Sequence, residues 1–128
     1  MNKQRRYLIV GPSWIGDMVM AQSLFITLKQ QYPDCIIDVL APEWSLPILK
    51  RMPEVNEGMA IKVKHGEFSF FKRRRLGLAL RKKKYSNSIV IPRSWKSALV
   101  PYFADIPQRT GYRGELRYGL LNDLRELD

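Results

Sequence analysis

Cysteine occurs once in the 128 residues, at Cys35, and histidine once, at His65. A single thiol excludes an intrachain disulfide framework, and a reducing compartment is the expectation. His65 stands beside Gly66 with no cysteine or second histidine to partner it, so no zinc-type ligand set and no metal site is expected. No Ser-His-Asp set supports hydrolysis either. Long apolar runs are missing as well. Nothing approaches the ~20 apolar residues that span a bilayer, so any membrane contact is expected to be peripheral. The basic start at residues 1–6 is followed by Tyr-Leu-Ile-Val, which ends at Gly11-Pro12 and is too short for the apolar core of a signal peptide. Acidic residues are scarce, 12 against 22 Lys and Arg, giving a formal charge of +10. That imbalance calls for a polyanionic partner, and nucleic acid, an anionic membrane surface and a phosphorylated glycolipid all meet the requirement.

What is present describes a folded domain. The chain is 45% hydrophobic and 27% charged, and 128 residues lie in the range of about 100 to 150 over which one core usually forms. Residues 1–128 are therefore read as one domain, without internal repeats or low-complexity linkers. The apolar run at 7–10, with turn formers behind it, predicts a strand buried on both faces and central in a parallel sheet. Residues 17–32 place Met18, Ala21, Leu24, Phe25, Leu28 and Tyr32 at helical spacing, and Pro33 stops that helix. A second strand is predicted at 36–41. Residues 42–52 read as a short helix interrupted near Pro47, and 58–63 as a third strand. Residues 70–85 read as a helix with Leu76, Ala79 and Leu80 facing inward, followed by a buried strand at 88–91. Ser94 is a candidate N-cap for a helix reaching toward Tyr102, and 108–112 is strand-like. Alternating strands and helices predict an α/β, doubly wound, mostly parallel sheet. Its ligands bind beyond the carboxyl ends of the strands, which directs attention to the loops after Val10, Ala41 and Ile91.

The first of these loops, Gly11-Pro12-Ser13-Trp14-Ile15-Gly16-Asp17, delivers the chain to a helix N-terminus, where backbone N–H groups and the helix dipole favour anions. A Walker loop would need lysine after the second glycine. Asp17 stands there instead and would repel a phosphate. A dinucleotide fingerprint would want glycine at Ser13. What remains is a carboxylate, kept ionised by the dipole, that suits a general base for a substrate hydroxyl; read structurally, it is a helix N-cap. Eight cations, Lys72, Arg73, Arg74, Arg75, Arg81, Lys82, Lys83 and Lys84, fall on one predicted helix. They are either a solvated face or a surface for anionic lipid headgroups. Lys96, in the first turn of a helix, opposes the dipole and hints at a nearby anion. Arg109, Arg113 and Arg117, spaced by Gly111 and Gly114, could grip carboxylates or phosphates with paired guanidinium N–H groups. Trp44 and Trp95 suit sugar stacking or packing equally. A nucleic-acid module is favoured by charge alone, without an RNP-like, zinc-finger or helix-turn-helix signature.

Four segments agree in order with one known family. They are G-P-S-W-I-G-D-M at 11–18, R-M-P-E-V-N-E at 51–57, S-W-K-S-A-L-V-P at 94–101 and I-P-Q-R-T-G-Y-R-G-E-L-R-Y-G-L-L-N-D at 106–123. From about Tyr7 onward the chain closely resembles the N-terminal half of the ADP-heptose:lipopolysaccharide heptosyltransferases, glycosyltransferase family 9. The resemblance implies a GT-B enzyme of two Rossmann-like domains that works by inversion, with no cofactor and no essential metal; the chain carries no D-x-D motif. The donor would be ADP-heptose, bound mostly by a C-terminal domain outside these residues. The acceptor would be a lipid A bearing Kdo and a first heptose, which receives the second. Carried onto this sequence, Asp17 would be the catalytic base. Ser13, Trp14, Gly16, Ser94, Lys96, Arg113 and Arg117 would line the substrate site, the last two with Lys96 holding the acceptor's anionic groups. The same resemblance implies a cytoplasmic enzyme, peripheral at the inner face of the inner membrane, with no nucleic-acid partner. It also implies that the 128 residues do not transfer heptose alone; a non-catalytic acceptor-binding half is the alternative.

Overall fold

The computed structural model describes residues 4–12, 15–60, 70–91, 99–112 and 123–125. Among the described residues, six strands form one sheet: β1 (Arg6–Val10), β2 (Ile36–Leu40), β3 (Glu57–Met59), β4 (Asn87–Val90), β5 (Gln108–Tyr112) and β6 (Asp123–Arg125). Their order is β3-β2-β1-β4-β5-β6, and every neighbouring pair is parallel. This is the doubly wound order, in which the chain builds outward on one side of β1 and then crosses to the other.

The run Tyr-Leu-Ile-Val takes the centre because all four side chains are apolar and a central strand has no solvent face. Tyr7 and Ile9 enter one core, Leu8 and Val10 the other. The first core is closed by α1 (Ile15–Gln31) and α2 (Leu46–Lys50). Met18, Ala21, Phe25 and Leu28 supply the stripe of α1, with Leu24 and Tyr32 at its margin. Each large apolar side chain buried there contributes about 1.5 to 3 kcal/mol of transfer free energy. Pro47 does not interrupt a helix. It sits in the first turn of α2, where its missing N–H has no intrahelical partner to lose. A 3-10 turn at Glu43–Ser45 leads into it.

The opposite face carries α3 (Phe70–Leu80) and α4 (Leu99–Phe103). Here the inward face differs from the expectation. Leu80 is buried and Leu76 half-buried, but Ala79 points to solvent and Gly77 takes the contact. A Cβ on Gly77 would lie 2.6 Å from the Phe103 Cβ and 2.8 Å from the Val100 carbonyl oxygen, so α3 and α4 touch backbone to backbone. Glycine inside a helix ordinarily costs about 1 kcal/mol relative to alanine, yet here the added methyl meets atoms that cannot swing aside. Gly77→Ala is therefore expected to destabilise the fold by about 1 to 3 kcal/mol in denaturant titrations, and a variant as stable as the parent would contradict this packing. The helix also stops earlier than its periodicity suggests. Arg81–Lys83 tighten into a 3-10 turn, and Lys84 takes a left-handed conformation (φ 52°) that turns the chain into β4.

A carboxyl side chain lies deep in the second face. Asp38, in the middle of β2, is 1% exposed. Its Oδ1 accepts from Asn56 Nδ2 at 3.0 Å, and its Oδ2 accepts from the buried Tyr85 hydroxyl at 2.5 Å. Burial, followed by the carboxylate beside it, drives the Tyr85 hydroxyl far above its ordinary pKa.

Candidate active site

The direction of winding reverses between β1 and β4, which are adjacent and in register from Tyr7 opposite Asn87 to Val10 opposite Val90. At a reversal the two following connections diverge to opposite faces and leave a crevice at the carboxyl edge. That edge is continuously hydrogen-bonded. The amide of Gly11 donates to the Leu40 carbonyl at 2.8 Å, Ile91 to Val10 at 3.0 Å, and Ala41 to Met59 at 2.9 Å. Gly11 at the end of β1 and Ile91 at the end of β4 are thus neighbouring points of one bonded edge.

Gly11 and Pro12 are buried. A Cβ on Gly11 would stand 3.1 Å from the Met18 Cε and 3.3 Å from the Val39 Cγ1, so glycine lets α1 start close against the sheet. Because α1 begins at Ile15, Asp17 occupies its first turn rather than the N-cap. Its side chain is exposed, as is Gly16. A Cβ on Gly16 would meet no atom within 4 Å among the described residues. The carboxylate therefore stands at the positive end of a 17-residue helix, on the solvent side of the crevice edge. An exposed carboxylate in that position can accept a proton from a hydroxyl delivered to the edge.

Of the other residues assigned from the sequence, Ser13, Trp14, Ser94, Lys96, Arg113 and Arg117 lie outside the described residues. Arg109 is a correction. It pairs with Ser88 near the amino end of β5, about 10 Å of strand away from Tyr112 at the carboxyl end, so it does not join a cradle at that edge. Its Nη1 donates to the Ile106 carbonyl at 2.7 Å, and its guanidinium lies 5.6 Å from the Tyr102 ring centre. Trp44 has a place that the sequence left open: it is 45% exposed in the turn after β2, at the same carboxyl edge as Asp17. Position beyond a strand end was the available signal. Beside the first half of α1 runs a groove of about 380 Å³ lined by Val19, Gln22, Pro47, Ile48, Arg51 and Met52. The Gln22 amide donates to Glu54 Oε1 at 2.9 Å across the same pair of segments. Among the described residues no three His, Cys, Asp or Glu side chains gather as a metal site, and no helix is long and apolar enough to cross a membrane.

Comparison with known proteins gives one answer at three levels. The glycosyltransferase family 9 (heptosyltransferase) profile matches residues 73–128. Lipopolysaccharide heptosyltransferase 2 of Salmonella typhimurium is 58% identical over 123 residues, covering 96% of this chain and 35% of the relative. The solved structure of Escherichia coli ADP-heptose lps heptosyltransferase II matches with a TM-score of 0.85 at 58% identity, over 96% of this chain and 35% of that one. A family 9 glycosyl transferase from Veillonella parvula matches with a TM-score of 0.83 at 17% identity, over 100% of this chain and 38% of that one, a likeness of fold. The chain spans about a third of the length of the curated relatives it matches, and it corresponds to their N-terminal portion.

Proposed function

The chain belongs to glycosyltransferase family 9, and from that premise we propose that it is an acceptor-side, N-terminal part of an inverting heptosyltransferase that adds the second heptose to the lipopolysaccharide inner core. The observation that carries this reading is the exposed carboxylate of Asp17 in the first turn of α1, beside the reversal between β1 and β4. The acceptor hydroxyl gives its proton to Asp17 as its oxygen attacks the anomeric carbon of ADP-heptose. The new C–O bond forms on one face of the sugar while the bond to ADP breaks on the other, so the configuration inverts and ADP leaves with the electron pair. Trp44 and Gly16 stand at the edge where a sugar would lie. Ser13, Trp14, Ser94, Lys96, Arg113 and Arg117 are the proposed acceptor contacts, the cations meeting its carboxylates and phosphates.

No cofactor and no essential metal belongs to this reading, and the donor is held mostly by the domain that follows. A lipid A acceptor bearing Kdo and heptose is anionic, which the net charge of +10 complements, and it places the enzyme on the cytoplasmic face of the inner membrane. Residues 1–128 by themselves are expected to bind Kdo- and heptose-bearing lipid A and to leave ADP-heptose unchanged. Calorimetry with the acceptor and an assay for released ADP check the two halves. Turnover by these residues alone would overturn the division of labour, and failure to bind the acceptor would overturn the assignment to its side.

A further inference from the structure

A patch on the face opposite α1 combines two kinds of group that rarely share a surface facing water alone. Four aromatic rings form a continuous ladder from α3 to α4. Phe71 meets Phe70 at 5.5 Å between ring centres, Phe70 meets Phe103 at 5.6 Å, and Phe103 meets Tyr102 at 5.4 Å, all edge to face. The two ends of the ladder are open: Phe71 is 75% exposed and Tyr102 43%. Cations surround it. Residues 70–84 contain eight Lys and Arg and no Asp or Glu. The structure divides those eight; Lys72 is exposed and Arg73 half-buried. Arg81 donates to the Phe103 carbonyl at 2.8 Å and Lys83 pairs with Glu57 at 2.7 Å, tying both into the fold. Arg74, Arg75, Lys82 and Lys84 remain on the exposed side, with the Arg74 guanidinium 6.0 Å from the Phe103 ring centre.

From this juxtaposition we infer that the α3–α4 face is a docking surface for an anionic phospholipid bilayer, with Phe71 seated at the headgroup boundary and the exposed cations of α3 and of the turn that follows it on lipid phosphates. A phosphate-rich interface satisfies the charges, and its hydrocarbon margin takes the ring that water does not. Tyr102 suits the same depth because its ring is apolar and its hydroxyl stays wet. Long Lys and Arg side chains can extend past a half-inserted helix and keep their charges among the headgroups. Nucleic acid would neutralise the cations but would accommodate Phe71 only by stacking on an unpaired base. The inference gives a surface to the membrane-side location proposed above and rests on that location, not on the transfer chemistry.

The test is partition of the purified chain onto vesicles of equal parts phosphatidylcholine and phosphatidylglycerol, measured by co-sedimentation against phosphatidylcholine alone. Binding is expected only with the anionic lipid. Phe71→Ser is expected to weaken it about tenfold, and each of Arg75→Gln and Lys82→Gln about fivefold. Phe71→Trp is expected to restore it. Ile26→Ser, which removes an exposed apolar side chain from α1, is expected to leave it unchanged. All these positions are exposed, so thermal unfolding of each variant should match the parent. Equal partition of parent and Phe71→Ser, equal loss with Ile26→Ser, or capture by unpaired RNA that abolishes vesicle binding would each overturn the proposal. Because no sugar substrate is present, that outcome is separate from a failure of the transferase reading.

Discussion

Asp17→Asn, in the complete protein that carries this chain, is expected to lower kcat by about 10²- to 10⁴-fold, the range over which positioned general bases act. Asparagine keeps the size and one acceptor oxygen of aspartate but cannot take a proton from the acceptor hydroxyl. The substrate site should therefore stay formed, and KM for both substrates should move little. Loss of fold does not account for such a drop. Removing a charge from the first turn of an exposed helix end costs about 0.3 to 1 kcal/mol, a small part of the roughly 5 to 15 kcal/mol that holds a domain together. Steady-state rates of ADP release at saturating acceptor, alongside a thermal melt of the variant, separate the two effects. A kcat within a few-fold of the parent would remove Asp17 from the chemistry and leave it as a helix-end charge.

The parts of this fold that are legible in the sequence are those that periodicity fixes. A four-residue apolar run bounded by Gly11-Pro12 can hardly be anything but a central strand, and the stripe from Met18 to Leu28 places α1 against it. Once those two elements are placed, the loop between them falls at the carboxyl edge of the sheet. Position puts Asp17 at that edge, where a helix-end charge and a base read alike; the base role comes from the family resemblance. Periodicity says which way a residue faces but not what it meets there. Ala79 and Gly77 are both small residues on α3, and only the approach of Phe103 and the Val100 carbonyl decides that Gly77 faces inward. Arg109 reads as part of a cradle with the arginines that follow it in sequence, but it stands near the amino end of β5, and an extended strand carries the chain about 10 Å from there to Tyr112. Basic residues 72–84 read as one helical face, whereas the helix ends at Leu80 and only Arg81 and Lys83 of the following turn are drawn into bonds with the fold, to the Phe103 carbonyl and Glu57.

The least legible feature is Asp38. A carboxylate inside Ile-Ile-Asp-Val-Leu signals that something must receive it, but Asn56 and Tyr85 are 18 and 47 residues away, and no local pattern names them. Asp38→Ala is expected to cost about 2 to 4 kcal/mol, the sum of a buried hydroxyl left unpaired and a small cavity. The double variant Asp38→Leu with Tyr85→Phe is expected to lose less than the two single losses added, because no polar group is then stranded. The pair also sets how stability depends on pH. The Tyr85 pKa is raised in the fold, so above its ordinary value of 10.0 the unfolded chain releases the proton while the folded chain holds it. Its contribution is therefore complete below pH 10.0 and declines as the pH rises past it, by about 1.4 kcal/mol per pH unit. Tyr7 and Cys35, both raised chiefly by burial, lower stability in the same direction at alkaline pH. Denaturant titrations on either side of pH 10.0 should show a steep fall for the parent and a shallower one for Tyr85→Phe. Identical slopes would mean that the Tyr85 hydroxyl meets water in the folded chain, and the lock between β2 and the start of β4 would have to be sought elsewhere.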